Sequence, residues 1–295
     1  MNRKDFLKNI SLSAVAMLTL PSLKTLADSL PEQDAKMPVL FVGHGSPMNA
    51  IEDNEFTQRW RRLGQEIPQP KAVLVVSAHW NTRGTFVTAM NRPQTIHDFG
   101  GFPEDLERAQ YPAPGAPELA RQIQAQLAPT TVGLNHDWGL DHGTWSITKQ
   151  MYPQANIPVL QLSIDYTKPA EWHYTLGKQL AALRKKGVLI IGSGNMVHNL
   201  RMIHLPSIAS GNPEYGYDWA IEMNNVFKRH IIDGNHHALI HYDKLGPAAK
   251  LAIPSPDHYL PLLYSLALQE KNEAPMIFND KLMAGSLNMT SIKFG

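Results

Sequence analysis

Residues 188–200 read VLIIGSGNMVHNL, an unbroken apolar run that leads directly into a glycine-rich turn carrying His198. Continuous apolar runs, as opposed to alternating ones, are typical of parallel strands that are covered on both faces. Similar runs occur at Val39–Val42, Ala72–Ser77 and Pro158–Ser163. Together with Val188–Ile191 they predict four buried strands of one sheet.

Amphipathic stretches between these runs predict helices at Asn54–Leu63, Pro117–Leu127, Pro169–Lys186 and Tyr217–Ile232. Two further runs, Phe86–Met90 and Met289–Lys293, predict edge strands. Strands that alternate with helices indicate an α/β fold. Because residues 37–295 contain no repeat and no low-complexity linker, we expect a single domain with a mostly parallel central sheet flanked by helices.

The composition narrows the classes of function. The 295 residues include 27 Lys and Arg against 26 Asp and Glu, a net charge of +1 that argues against nucleic acid as a partner. The chain has no Cys, which excludes disulfide scaffolds, thiolate metal sites and Cys nucleophiles. Any transition metal must therefore be held by Asp, Glu or one of the 13 His.

The N-terminal residues have the pattern of an export signal. Arg3, Lys4 and Lys8 precede an apolar run, Ile10–Leu20, which is shorter than the ~20 residues that span a bilayer. Its length is that of a signal-peptide core, and the basic residues are similar to a twin-arginine signal. We expect a signal peptide over residues 1–27, a linker over 28–36, periplasmic localisation and no stable membrane insertion. The alternative is an amphipathic helix docked on a cytoplasmic protein.

Histidines follow three of the predicted strands. His44 lies in GHGSP, His79 in SAHW and His198 in the glycine-rich turn. Since sites in open α/β sheets form beyond the carboxyl ends of strands, we expect one shared cleft. His258 lies in PSPDHY, a loop that two prolines hold extended. Taken singly, each histidine is more often structural, but His44, His79 and His258 on rigid loops together suit a mononuclear metal site.

His142 is a candidate acid–base group. Asp141 precedes it and Gly143 follows it, which predicts an accessible imidazole beside a carboxylate. The alternative is an exposed histidine in a turn. The aromatic, glycine-rich loop at residues 95–102 is expected either to cover a flat ring or to be an Ω-loop. No G-x-S-x-G elbow, Walker A motif or HExxH motif is present.

Eight motifs along the chain, in order, are GHGSPMN, VVSAHW, TIHDFGGFP, YPAPG, WGLDHGTW, QLSID, GSGNMVHNL and PSPDHYLPLLY. This series resembles the class III extradiol ring-cleavage dioxygenases, and among them the 4,5-DOPA dioxygenase family. The resemblance extends from about Met37 to the C-terminus, so it leaves only the leader uncovered.

The resemblance implies that one divalent metal is held by His44, His79 and His258, with Fe(II) for catalysis or Zn(II) in the isolated protein. It implies that a DOPA-like catechol is opened by O2 next to its two hydroxyl groups. His142 and His198 match two further histidines of the family site. They are candidate catalytic residues, and His198 is a fourth metal ligand in the alternative interpretation. Asp257 beside His258 leaves the identity of the third ligand open.

Two other functions fit the same histidines. A zinc hydrolase would use the cluster to activate a bound water. A non-enzymatic binding protein, like the Memo-type relatives of this fold, would not turn over catechols at all.

Overall fold

A computed structural model of the protein describes residues 36–209 and 213–295. The predicted signal peptide at residues 1–27 therefore lies outside the described residues, as does the predicted linker at 28–36 apart from Lys36. The described residues all belong to one compact unit. Within the described ranges, no helix is both long and apolar enough to cross a membrane.

Within residues 36–209 and 213–295, eight strands form the central sheet, and a separate two-stranded pair lies near the C-terminus. In chain order the strands are β1 (Val39–Gly43), β2 (Ala72–Thr82), β3 (Thr85–Thr88), β4 (Val132–Asn135), β5 (Val159–Asp165), β6 (Val188–Gly194), β7 (Met276–Phe278), β8 (Leu282–Met283), β9 (Leu287–Asn288) and β10 (Ser291–Phe294). The order across the large sheet is β4-β3-β5-β2-β6-β1-β10-β7, and β8 pairs with β9. The four predicted strands, β5, β2, β6 and β1, are adjacent and mutually parallel, which confirms the predicted fold class.

The register of these strands brings their carboxyl ends to one level. Gly43 at the end of β1 pairs with Gly194 of β6, and Ser77 of β2 pairs with Ser193 of β6. Residues that follow these positions therefore emerge side by side at one edge of the sheet. This alignment places the predicted histidine loops next to each other.

Helices form most of the connections between strands, and they cover the two faces of the sheet. They are α1 (Glu55–Glu66), α2 (Glu104–Glu107), α3 (Pro117–Gln126), α4 (His142–Met151), α5 (Ala170–Lys178), α6 (Ala181–Lys185), α7 (Leu205–Ala209), α8 (Asp218–Ile232), α9 (His236–Ile240), α10 (Pro247–Ala252) and α11 (Leu260–Ala267), with 3₁₀ turns at Pro47–Ala50, Leu200–Met202 and Tyr242–Lys244. The predicted helices at 54–63, 117–127 and 217–232 correspond to α1, α3 and α8. Asn54 begins α1 as an N-cap, since its side chain accepts hydrogen bonds from the backbone of Phe56 and Thr57.

Two apolar cores lie on the two faces of the sheet. Leu74 and Ile190 of the central strands pack with α5, α8 and α11 on one face. Val75 and Leu189 point the other way and pack with Trp60 of α1 and α4 residues. Because successive strand residues face opposite sides, two covered faces require strands that are apolar throughout.

Three sequence predictions need correction. Met289–Lys293 and Phe86–Met90 were expected at edges, but β10 lies between β1 and β7, and β3 lies between β4 and β5. The short strands β4 and β7 occupy the edges instead. The helix expected over Pro169–Lys186 is split into α5 and α6, because the amides of Gln179 and Leu180 bond to carbonyls three residues back, not four.

Candidate active site

His44 follows β1 directly and is buried. Its Nδ1 lies 2.9 Å from Ser193 Oγ on β6, and its Nε2 lies 3.1 Å from Nε2 of His79. The Ser193 hydroxyl in turn donates to the Gly143 carbonyl. The His44 ring is thus oriented by its Nδ1 side, which leaves Nε2 directed at the neighbouring histidine.

His79 lies within β2, whereas the sequence predicted that this strand ends at Ser77. The strand continues to Thr82, but its register with β5 shifts between Val76 and Asn81. This irregularity releases the intervening residues from regular pairing. His79 Nδ1 lies 3.1 Å from Oδ2 of Asp98, so this ring too is held on its Nδ1 side.

His258 reaches the site because its loop packs directly on β6. A Cβ atom on Gly194 would lie 2.1 Å from the His258 carbonyl oxygen, so only glycine permits this approach. The amide of Asn195 donates to the same carbonyl at 2.9 Å. His258 Nδ1 lies 2.5 Å from Oδ2 of Asp257, the preceding residue.

The three histidines present a set of donors that fits a divalent metal. Ring nitrogens of His44, His79 and His258 all lie within 4.8 Å of one another. In each ring Nδ1 has an oxygen partner, which fixes the ring and leaves Nε2 as the free ligand atom. Asp257 contacts the His258 ring and is not in this group, so the geometry favours His258 over Asp257 as the third donor.

His142 is the first residue of α4, and it is buried. Its Nδ1 lies 3.0 Å from Asp98 Oδ2, and its backbone amide donates to Asp98 Oδ1 at 2.8 Å. His79, Asp98 and His142 form a second group whose donor atoms lie within 4.8 Å. The carboxylate beside the His142 ring is therefore Asp98.

The expected pairing of an accessible His142 with Asp141 is wrong. Asp141 is buried and accepts hydrogen bonds from Ser77 Oγ at 2.7 Å and Gln161 Nε2 at 2.6 Å. It also caps α4 by accepting from the Thr144 amide. Through these bonds the Asp141 carboxylate links α4 to the sheet, so its role is structural.

His198 stacks on His258, with ring centroids 3.5 Å apart and planes 4° from parallel. Its backbone amide donates to the Ala252 carbonyl at 2.8 Å, which fixes the turn after β6. Among the described residues it belongs to neither group of candidate ligands. His198 therefore packs against the ring of a candidate ligand and lines the same cleft as the other histidines.

Burial keeps most of these rings neutral. It lowers the pKa of His44 and His258, and it lowers that of His198 to about 3. Burial also lowers the pKa of His142, against the opposing effect of Asp98. For His79 the hydrogen bond to Asp98 and nearby carboxylates outweigh burial and raise the pKa. Neutral imidazoles are the form that binds metal.

Two carboxylates balance the cluster. Burial opposes the ionisation of Asp98, but hydrogen bonds from His142 and His79 outweigh it and hold its pKa well below the ordinary value. The hydrogen bond from His258 has the same effect on the pKa of Asp257. Both groups are therefore anionic at neutral pH and accept hydrogen bonds from the rings.

A cavity of about 540 Å³ opens onto the cluster, in the size range of small-molecule sites. All five histidines line it, and its other side is largely apolar, with Phe99, Phe102, Leu200, Ile203, Ile208 and Leu287. Phe99 and Phe102 come from the 95–102 loop, which was expected to cover a flat ring or to be an Ω-loop. His97 of that loop does not line the cavity; its Nε2 lies 2.9 Å from the Ala109 carbonyl oxygen.

Asp98 and Ser193 are site residues that the sequence interpretation did not single out. Asp98 directly follows His97 in the aromatic loop, and an acidic residue beside that histidine was the available signal. Ser193 lies between two glycines at the end of β6. A serine in such a sequence is common in turns, so nothing in the sequence marked it as a site residue.

Residues 37–287 match the family model described as the catalytic LigB subunit of aromatic ring-opening dioxygenase. The chain belongs to this family. The match includes the four central strands and all five clustered histidines, so the site described above lies wholly within the LigB region.

Relatives support the same placement. The chain is 48% identical over 265 residues to "4,5-DOPA dioxygenase extradiol" of Escherichia coli K12, which covers 88% of this chain and 95% of the relative. It is 36% identical over 272 residues to the protein of the same name from Beta vulgaris, covering 89% and 98%. The crystal structure of an uncharacterized E. coli K12 protein, JW3007, is similar with a TM-score of 0.76 and 42% identity, covering 88% and 100%. This LigB-family chain thus shares its fold and an enzyme family with these proteins.

Proposed function

We propose that the protein is a metal-dependent extradiol dioxygenase that opens the ring of a DOPA-like catechol with O2. The observation that carries this proposal is the convergence of His44, His79 and His258 in a cavity walled by aromatic and aliphatic side chains. Membership of the LigB family and relatives named 4,5-DOPA dioxygenase extradiol support it.

The donor set fits one divalent metal, with Fe(II) as the catalytic metal and Zn(II) as a non-redox occupant. Three imidazoles, each held at Nδ1 and directed into the cluster at Nε2, leave coordination positions open, as non-haem iron oxygenases need. A metal held by His44, His79 and His258 would bring a catechol and O2 together and would lower the pKa of the catechol hydroxyls. The anionic carboxylates Asp98 and Asp257 add negative charge that favours a dication.

The overall reaction requires no further reductant. One ring C–C bond next to the diol breaks, both atoms of O2 enter the product, and the two ring carbons of that bond are oxidised. The ring-opened product carries a carboxylate and a new carbonyl group. The absence of Cys from the chain is consistent with a reaction that needs no thiol.

Residues around the donors supply proton transfer and substrate contacts. His142 is held by Asp98 through Nδ1, so its Nε2 is available to take a proton from a catechol hydroxyl and return it during ring opening. His198 lines the cavity and is proposed to hydrogen-bond the substrate without being an obligatory metal ligand. Phe99, Phe102 and Leu287 form the apolar wall against which an aromatic ring packs.

The test is anaerobic loading with Fe(II), followed by a panel of catechols with O2 electrode traces and product mass spectra. We expect equal consumption of catechol and O2, and a product heavier than the catechol by two oxygen atoms that derive from ¹⁸O2. Hydrolysis of added ester or amide substrates by the Zn(II)-loaded protein, with no O2 uptake on any catechol, would instead indicate a zinc hydrolase. Metal uptake with no turnover of any catechol would indicate a binding protein.

We also propose that residues 1–27 are an export leader and that the mature protein is periplasmic. The basic segment followed by the apolar run Ile10–Leu20 supports this. Intact mass of the protein isolated from cell fractions is the test. A periplasmic chain that begins at Asp28 supports the proposal, and a cytoplasmic chain that still contains residues 1–27 overturns it.

A further inference from the structure

One carboxylate joins two histidines that have different duties in the proposed reaction. Asp98 Oδ2 lies 3.1 Å from His79 Nδ1 and 3.0 Å from His142 Nδ1, and Asp98 Oδ1 accepts from the His142 amide at 2.8 Å. His79 is in the candidate metal group, whereas His142 is the candidate acid–base group. The two rings are close neighbours, with centroids 3.9 Å apart.

We propose that Asp98 is a positioning residue that fixes the tautomer and orientation of His79 and His142 at once. A carboxylate only accepts hydrogen bonds, so each Nδ1 must carry the hydrogen that it donates to Asp98. Each Nε2 then carries the lone pair. In His79 that lone pair serves the metal, and in His142 it serves as the base for the catechol; this second assignment rests on the proposed function.

The protein holds Asp98 on a braced loop. The Ile96 amide donates to the Leu140 carbonyl at 2.7 Å, and Leu140 donates back to Gln94 at 2.8 Å. The indole of Trp145, on α4, donates to the Ile96 carbonyl at 2.9 Å. The loop is therefore tied both to the segment before α4 and to α4 itself, which also carries His142. This bracing fixes the distance between the carboxylate and the His142 ring.

The same loop forms part of the cavity wall. The Phe99 ring lies 5.6 Å from the His142 ring, and Phe99 and Phe102 both face the cavity. Asp98 itself is only partly buried, with 17% of its side chain exposed. One loop thus supplies the apolar contact for an aromatic substrate and the carboxylate that orients the two rings beside it.

The first experiment measures metal affinity and turnover of Asp98→Asn. The substitution keeps the shape and one acceptor oxygen but removes the charge. We expect the Zn(II) affinity, measured by competition with a chromophoric chelator, to fall about 10–100-fold, the usual scale for an outer partner of a ligand. We expect kcat of the Fe(II) protein to fall about 10²-fold while KM for the catechol stays within about threefold.

A double substitution separates positioning from general structural damage. If Asp98 acts on turnover through His142, Asp98→Asn added to His142→Phe lowers kcat by no more than about threefold further. Full additivity of the two losses would overturn this part of the proposal. Asp105→Asn is the matched control. Asp105 lies eight residues after His97, its carboxylate is exposed, and it does not line the cavity. It should change neither quantity.

Side-chain NMR of the wild-type protein tests the tautomers without any substitution. In the Zn(II)-loaded protein labelled with ¹⁵N-histidine, we expect the ring N–H hydrogen to be on Nδ1 in both His79 and His142. A hydrogen on Nε2 of His142 would overturn the proposal even if Asp98→Asn failed to fold. Unchanged Zn(II) affinity in a folded Asp98→Asn variant would overturn it for His79. These two readouts stand whether or not the wild type oxidises catechols, so a failure of the proposed function is recognised separately.

Discussion

The two ends of the central sheet each hold a buried polar cluster, and the clusters are built on opposite principles. At the amino ends of β1 and β6, Arg184 donates to the Met37 and Leu268 carbonyls at 2.8 Å and forms an ion pair with Glu273. At the carboxyl ends, five histidine rings converge, and the nearest nitrogens of His44 and His79 face each other at 3.1 Å.

The difference teaches how a structural cluster is told from a functional one. The Arg184 cluster opposes a cation to an anion and satisfies its donors within the protein, so it closes on itself. In the histidine cluster, Asp98 and Asp257 hold the Nδ1 side of three rings, but on the Nε2 side imidazoles face each other and would repel one another if protonated. Such an arrangement costs stability and is explained by a ligand that uses the converging lone pairs.

The largest effect is expected at the metal donors. His44→Ala and His79→Ala each remove one Nε2, so each variant should lose bound metal. Turnover should fall by at least about 10³-fold, because a catalytic metal stabilises the transition state by several kcal/mol. Metal analysis and O2 uptake measure this, while circular dichroism should show an intact fold. His136→Ala, which removes an exposed imidazole, is the control. Full metal occupancy in a variant would remove that residue from the ligand set.

His142→Phe tests whether the ring that Asp98 holds beside the candidate metal donors is catalytic. The phenyl ring fills the space of the imidazole but cannot transfer a proton, so turnover should fall by about 10²–10⁴-fold. Metal content after dialysis should stay at the wild-type value. Catechol affinity, measured by spectral titration, should also stay at the wild-type value. Loss of metal would show that His142 is a ligand and not an acid–base group.

Arg184→Met is the corresponding test of the opposite end. It leaves two buried carbonyls without their donors and Glu273 without its partner, which should lower the free energy of unfolding by about 3 kcal/mol. Urea denaturation of the metal-loaded protein measures this. Zn(II) affinity and kcat should not change, and a parallel loss of metal would mean that the two clusters are coupled.

His198→Gln addresses a ring that stacks on a donor without belonging to the ligand group. The amide still forms hydrogen bonds but cannot transfer protons, so we expect turnover to fall about 10²-fold. Metal affinity should change by less than about tenfold, the small end of effects from outer partners. Affinity and turnover that collapse together would identify His198 as a fourth ligand.

The smallest effect concerns a buried histidine outside both clusters. His173 on α5 lies 2.9 Å from the Tyr264 hydroxyl, and burial lowers its pKa to about 4. The unfolded chain therefore binds more protons below the ordinary pKa of 6.5, so stability is complete above that value and is lost as pH falls toward 4. Between pH 7.5 and 5.5 the loss from this group should be about 1 kcal/mol.

His173→Gln measures that contribution by difference. The variant should lose less stability than the wild type over this pH interval in urea denaturation of the Zn(II)-loaded proteins. Both proteins contain the same histidine cluster with the same metal, so the titration of the site histidines cancels. An identical pH dependence in the two proteins would show that His173 is not held neutral by the fold.

Much of the fold could be predicted because it depends on local patterns. The apolar runs that became β1, β2, β5 and β6 report burial on two faces, which is a property of each segment alone. The signals for the helix at Asn54–Leu63 and the glycines around His44 and His198 act over a few residues. The placement of histidines at the carboxyl edge followed from the direction shared by parallel strands.

The chemistry around the histidines depended on contacts between distant segments. The sequence placed Asp141 beside His142 because they are neighbours in the chain, yet Asp98, 44 residues away, contacts the ring. Neighbouring residues at the start of a helix point in different directions, so adjacency along the chain does not predict contact between side chains. The irregularity in β2 at His79 and the edge positions of β4 and β7 were missed because both depend on how segments distant in the chain pair in the sheet.

The sequence by itself therefore determined the α/β architecture, the edge of the sheet at which a site forms, and the residue types available to hold a metal. The tertiary structure alone decided which oxygen holds each imidazole and hence which nitrogen remains free. Hydrophobic period and strand direction are encoded segment by segment, whereas a hydrogen bond at 3.0 Å between the 95–102 loop and α4 exists only after both have packed on the sheet.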